Sequence, residues 1–173
     1  MTDFGRSGRK PRLDLAGQPE LIYRAALLYL ARREYAPDEL KQRLLRRGAS
    51  AEQADAVCAR LIESGYLDEE RFARSRLRLR RDISCRGRAM VRAELSNYGL
   101  AGELIEAALA EEYDEAREQE ILTALVQREA ELIRGVADRD KRRKRLQTLE
   151  RRLLGRGFRP GAAEQLDVAD HLD

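Results

Sequence analysis

A chain of 173 residues, 43% apolar and without tryptophan, can bury a core but has few aromatic side chains to fill it, which fits helices better than a sandwich or barrel. No run approaches the roughly 18 apolar residues of a membrane span. Cys58 and Cys85 are too few and too far apart for a zinc ribbon or a disulfide framework, and the first residues lack a signal segment, so a reducing cytoplasm is expected.

The net charge of +3 hides strong segregation. Residues 71–92 hold nine arginines against one acid, Asp82. The acids Glu103, Glu106, Glu111, Glu112, Asp114, Glu115, Glu118 and Glu120 then oppose only Arg117, and basic residues dominate again from Arg139 to Arg159. Basic blocks alternating with an acidic one suit a polyanionic partner met by part of the surface.

In chain order, residues 1–20 read as a flexible basic tail, because Gly5, Gly8, Pro11 and Gly17 interrupt a stretch with no apolar period. Ile22, Ala25, Ala26, Leu28 and Tyr29 predict a helix over 21–35. Pro37, followed by Asp38 and Glu39, starts a second helix that places Leu40, Leu44 and Leu45 together and stops at Gly48. Ser50-Ala51-Glu52-Gln53 is a capping box ahead of a third helix, whose stripe is Ala54, Val57, Cys58, Leu61 and Ile62. Cys58 reads as a small core residue.

Gly65 closes that helix, and Asp68 with Glu69 and Glu70 opens the next. On a wheel of about 100° per residue, Phe72, Ala73 and Leu77 share one side. Arg71, Arg74, Arg78 and Arg81 gather on the side facing away. Arginine's planar fork suits bidentate contact with phosphate or carboxylate, and no lysine dilutes the run.

A register then recurs around Gly48, Gly99 and Gly157. Eight residues before each glycine stand Leu40, Val91 and Leu149; four before stand Leu44, Leu95 and Leu153; nine after stand Val57, Ala108 and Leu166. This predicts an all-α chain of three tandem three-helix, helix-turn-helix-like repeats in an elongated, curved array, over residues 21–67, 68–114 and 115–173. Gly135 and the charged run Asp138–Arg145 are expected to separate the first two helices of the third repeat, whose C-terminal end is expected to fray.

Catalytic chemistry has no carriers. The single histidine, His171, leaves no triad and no histidine pair, and phosphate-loop, dinucleotide and HExxH spacings are missing. The acids between Glu103 and Glu120 diverge around a helix and read as a solvated face rather than a cation site. No enzyme activity, cofactor or metal is expected.

Gly65-Tyr66-Leu67-Asp68-x-x-Arg71-Phe72-Ala73, with Gly87-x-x-x-Val91-x-x-Glu94-Leu95, Tyr35-Ala36-Pro37-Asp38-Glu39-Leu40 and the closing Leu153-x-x-x-Gly157-Phe158, resembles the RecX family of recombination regulators over about residues 20–168. The resemblance implies three tandem three-helix repeats that bind the RecA filament and usually inhibit it, by lodging in its groove or capping its growing end. The chain departs from the family pattern at Arg76, where members often carry an aromatic or aliphatic residue, and at Ala36 and Ala101, which replace capping side chains.

The contact residues expected from these readings are Arg71, Arg74, Arg78, Arg80, Arg81, Arg86, Arg88 and Arg92, with Lys141, Arg142 and Arg145 as a second contact. The expected partners are the RecA recombinase filament and single- or double-stranded DNA, bound without sequence preference; no membrane contact is expected, and the chain is expected to be a monomer. The alternative is a sequence-independent DNA-binding protein that acts without a recombinase.

Overall fold

The predicted helix stops at Gly48, Gly65, Gly99 and Gly157 each turn the chain left-handed with the same pair of hydrogen bonds, and three of them also share buried flanks. Gly48, Gly99 and Gly157 have φ of 94°, 83° and 87°. Their amides donate to the carbonyls of Leu45, Ser96 and Leu154, and the next amides, of Ala49, Leu100 and Phe158, donate to Leu44, Leu95 and Leu153. In each case the residue after the glycine and the leucine it bonds back to are both buried. The recurring register is therefore one closure motif used three times, with Leu40, Val91 and Leu149 buried one turn earlier in their helices.

The computed structural model describes residues 18–161. The expected basic tail before them, Leu166 of the register, and the expected C-terminal fray with His171 lie outside. No strand occurs among the described residues. The helices are α1 (Pro19–Leu30), α2 (Pro37–Leu45), α3 (Ala51–Glu63), α4 (Glu69–Arg78), α5 (Arg88–Asn97), α6 (Gly102–Glu112), α7 (Glu115–Arg134) and α8 (Arg139–Leu154), and a π-helical turn, Leu79–Ile83, follows α4. The chain divides into two compact units, 1–69 and 70–173.

In the first unit α3 packs on both α1 and α2, around Ile22, Ala26, Leu40, Leu44, Ala54, Leu61 and Leu67. Ser50 accepts from the Gln53 amide and the Gln53 side chain accepts from the Ser50 amide, as the capping box requires. Ala36 leaves α2 without a side-chain cap. Cys58 is buried, and desolvation pushes its thiol up to about 11, so it stays protonated and apolar. The first helix stops at Leu30 rather than at residue 35; the chain turns so that Tyr35 is buried with its ring 6.1 Å from that of Tyr29.

In the second unit α5 packs on α6 and α7 on α8. Phe72, Ala73 and Leu77 are buried as their helical spacing predicts, and Phe72 meets the Tyr98 ring edge-on at 5.1 Å. The α7/α8 core comprises Leu122, Val126, Ile133, Leu149, Leu153 and Phe158. Here the charged run 138–145 does not separate two helices. Asp138 caps the Lys141 amide, and residues from Arg139 onward form the first turns of α8. The close approach that closes this unit is at Gly87, whose amide donates to Arg156 O at 2.8 Å. A Cβ there would lie 2.4 Å from Gly157 O, so only glycine fits.

Candidate docking surface

The arginines of α4 do not face away from the rest of their unit. Loop closure after α5 brings α6 alongside α4, and acids near the end of α6 meet the guanidinium row. Arg74 pairs with Glu111 at 3.1 Å and with Glu70, one turn back, at 3.5 Å. Arg78 forks onto Glu112 through Nε, at 2.9 Å, and through its second nitrogen. Arg81, from the π-helical turn, binds Asp82 at 2.7 Å and donates to the Glu112 carbonyl. The hydrogen bond from Arg78 holds the Glu112 carboxyl below the usual carboxylate range, and Arg81 does the same for Asp82.

A second group converges on α5. Glu94, 15% exposed, accepts a bidentate pair from Arg80 at 2.7 Å and lies 3.5 Å from Arg76 and 3.8 Å from Arg86. Arg76 also donates to the Tyr98 hydroxyl at 2.6 Å and lies over the Tyr98 and Phe72 rings. The position that departs from the family pattern therefore roofs the core with its guanidinium and stem instead of an apolar side chain. Arg92 forks onto Glu106 of α6 at 2.5 and 2.8 Å and lowers its carboxyl. Arg88 reaches Glu115 at 3.5 Å, and its amide donates to Glu118 at 2.6 Å, so an acid of α7 caps α5 where Gly87 has no side chain to do so. Arg71 is exposed on the first turn of α4.

Arg74, Arg78, Arg80, Arg81, Arg86, Arg88 and Arg92 thus contact carboxylates of their own unit. They form two grades of site. Arg80, Arg81 and Arg88 are largely buried and structural in their bonding, whereas Arg74, Arg78 and Arg92 are 39%, 58% and 48% exposed. An exposed pair contributes little net free energy, about 0–1 kcal/mol, and a guanidinium keeps donors to spare, so an anionic partner can replace or share the carboxylate. Among the described residues, no three His, Cys, Asp or Glu side chains are grouped to hold a metal ion.

The second expected contact divides differently. Arg142 donates to Val136 O at 3.0 Å and Arg145 to Leu132 O at 3.1 Å, so both close off the carbonyl end of α7, where a helix dipole favours cations. Lys141 is 75% exposed, 3.7 Å from Asp138. Arg143, Lys144 and Arg151, which the sequence reading did not single out, stand exposed on the outer side of α8. A helical wheel of 139–154 with Leu149 and Leu153 set inward would have found them.

Residues 23–61 match the first three-helix domain of RecX and residues 68–109 the second. The chain is 36% identical over 137 residues to a regulatory protein RecX of Pelodictyon phaeoclathratiforme (strain DSM 5477 / BU-1), covering 77% of this chain and 78% of that one. It is 43% identical over 84 residues to that of Stenotrophomonas maltophilia (strain R551-3), where the match covers 49% of this chain and 51% of that protein. The chain thus spans about half the length of some relatives it matches and most of others. Among solved structures it is similar to a RecX from Lactobacillus salivarius, with a TM-score of 0.70 at 21% identity over 90% of this chain and 96% of that one. A second, described as regulatory protein RecX, gives 0.72 at 19% over 86% and 72%. Two consecutive domain matches, a relative covered over most of its length and a shared helical-repeat fold lead to one conclusion: the chain belongs to the RecX family of regulatory proteins.

Proposed function

We propose that the chain is a non-catalytic regulator that binds the RecA recombinase filament on DNA and restrains its ATP hydrolysis and strand exchange. It works as a monomer in the cytoplasm, without cofactor or metal. What carries this reading is the match of both three-helix domains to a family of regulatory proteins. The docking surface is the arginine group of α4, the π-helical turn and α5.

Binding energy alone is sufficient for such a regulator. A ligand that contacts one filament state better than another shifts the population toward it, by groove lodging or by blocking the next subunit at an end. Arg74, Arg78 and Arg92 make the intermolecular contacts by exchanging Glu111, Glu112 and Glu106 for acidic recombinase surface or DNA phosphate. Arg80, Arg81, Arg86 and Arg88 hold that surface in shape, and Arg71 extends it at the start of α4.

The test is inhibition of DNA-dependent ATP hydrolysis by purified recombinase. The wild-type chain inhibits, and an Arg74→Gln, Arg78→Gln, Arg92→Gln variant needs on the order of tenfold more protein for the same effect, with its helical circular dichroism unchanged. Equal inhibition by that variant removes the surface from the mechanism. Absence of inhibition and of filament co-sedimentation by the wild type removes the recombinase.

A further inference from the structure

Helix α8 carries a row of donors that no described carboxylate of its own unit neutralises. Arg143, Lys144, Gln147, Thr148 and Arg151 recur at helical spacing on one side, opposite the buried Leu149 and Leu153, and all five are exposed. Among the described residues no carboxylate pairs with Arg143, Lys144 or Arg151, whereas Lys141 and Arg152, flanking the row, pair with Asp138 and Glu129. Asp140, the one acid on the same side, sits in the first turn, and Glu150 accepts from the Gly161 amide instead. Thr148 donates to Lys144 O at 2.8 Å, and Arg151 donates to Gln147 O at 3.3 Å and to the Thr148 hydroxyl at 3.4 Å, which holds the row in place.

We infer that this outer face of α8 is a binding site for the phosphate backbone of nucleic acid, read without sequence preference. Three features select that ligand. From Arg143 to Arg151 the helix rises about 12 Å, the axial length of three to four phosphates of one strand at about 3.4 Å each. Between its cations the row offers an amide and a hydroxyl, which are side-chain types that contact phosphate, while Asp140 and the exposed Leu154 lie beyond its two ends. It has no aromatic residue between 139 and 154, so it lacks the buried anchor on which a protein interface depends. The inference goes beyond recombinase docking and holds whether or not a recombinase is present.

The test is fluorescence anisotropy of a labelled duplex of about 30 base pairs, without recombinase, over a salt series. The whole chain binds, and an Arg143→Gln, Lys144→Gln, Arg151→Gln variant loses about 2.7 from the slope of log affinity against log salt, since each phosphate contact contributes about 0.9. Its affinity near 0.1 M salt falls by about tenfold or more. Glutamine matches arginine and lysine in helix propensity, and single variants should each remove about 0.9 from the slope, so the reading does not depend on one triple variant. An Arg24→Gln, Arg32→Gln, Arg46→Gln variant, which removes three exposed cations of the first unit, keeps its duplex affinity and slope, which ties the loss to α8 rather than to net charge. A triple variant with wild-type slope and affinity overturns the site, as does failure of the wild type to bind at low salt. Displacement of the duplex by poly-L-glutamate, charge for charge as effectively as by unlabelled duplex, overturns the choice of ligand in favour of an acidic protein.

Discussion

Two arginine-rich regions of the second unit look alike in sequence and differ in what their charge is free to do. Around α4 and α5 the guanidinium groups meet Glu94, Glu106, Glu111 and Glu112. On the outer face of α8 they meet solvent. The difference comes from topology. The glycine closure at Gly99 folds α6, with its acids, back beside α4 and α5, whereas Leu132 and Val136 offer α8 only carbonyl oxygens, which occupy Arg145 and Arg142. A count of charges along a chain therefore overstates the field of the first region and describes the second correctly.

The comparison breaks most completely at Gly87, because both regions depend on the contact between the start of α5 and the end of α8. Gly87→Ala keeps an ordinary φ but drives a methyl into backbone, with Gly157 O at 2.4 Å, Gly157 C at 2.5 Å and the Phe158 amide at 2.8 Å. Neither side can swing away as a flexible side chain would, so a loss of roughly 3 kcal/mol is expected, read as a lower urea midpoint. A smaller loss, about 2 kcal/mol, is expected for Glu94→Gln, which leaves Arg76, Arg80 and Arg86 crowded without their shared anion. A double-mutant cycle with Arg80→Gln should recover part of it; strict additivity would mean that Glu94 is not the hub it looks.

How much of this was readable in advance depends on the range of the interaction. The glycine register, the buried leucines and Val91 one and two turns before it and the Ser50 capping box follow from local rules of helix closure, so composition and spacing sufficed. The acidic block read as a solvated face because its spacing around α6 is right for one; what turns Glu106, Glu111 and Glu112 toward arginines is the packing of α6, which no local pattern encodes. Arg76 stood out only as a departure from a family pattern, and its role depends on Tyr98, twenty-two residues away. On α8, charge density drew attention to Lys141, Arg142 and Arg145, although helical phase already placed Arg142 and Arg145 toward Leu149 and Arg143, Lys144 and Arg151 away from it.

Acid titration sharpens the same contrast with the smallest expected effect. Glu106, Glu112 and Asp82 have folded-state pKa values below their ordinary ones, 4.5 for the glutamates and 3.8 for the aspartate, with arginine hydrogen bonds as the main cause. A depressed carboxylate contributes stability that is fully present above its ordinary pKa and is lost as pH falls through the folded value. Below about pH 4.5 the Arg92–Glu106, Arg78–Glu112 and Arg81–Asp82 pairs should therefore weaken, while the row of cations on α8 adds nothing to that slope. Because these pairs are solvent-screened, the acid limb should involve a urea midpoint shift on the order of 0.2 M per pair. Glu106→Gln should flatten the limb by its share and Lys144→Gln should leave it unchanged. Identical limbs in the two variants would mean that the Arg92–Glu106 fork carries no free energy in solution, and that the exposed part of the α4–α5 surface is as open to an outside anion as α8.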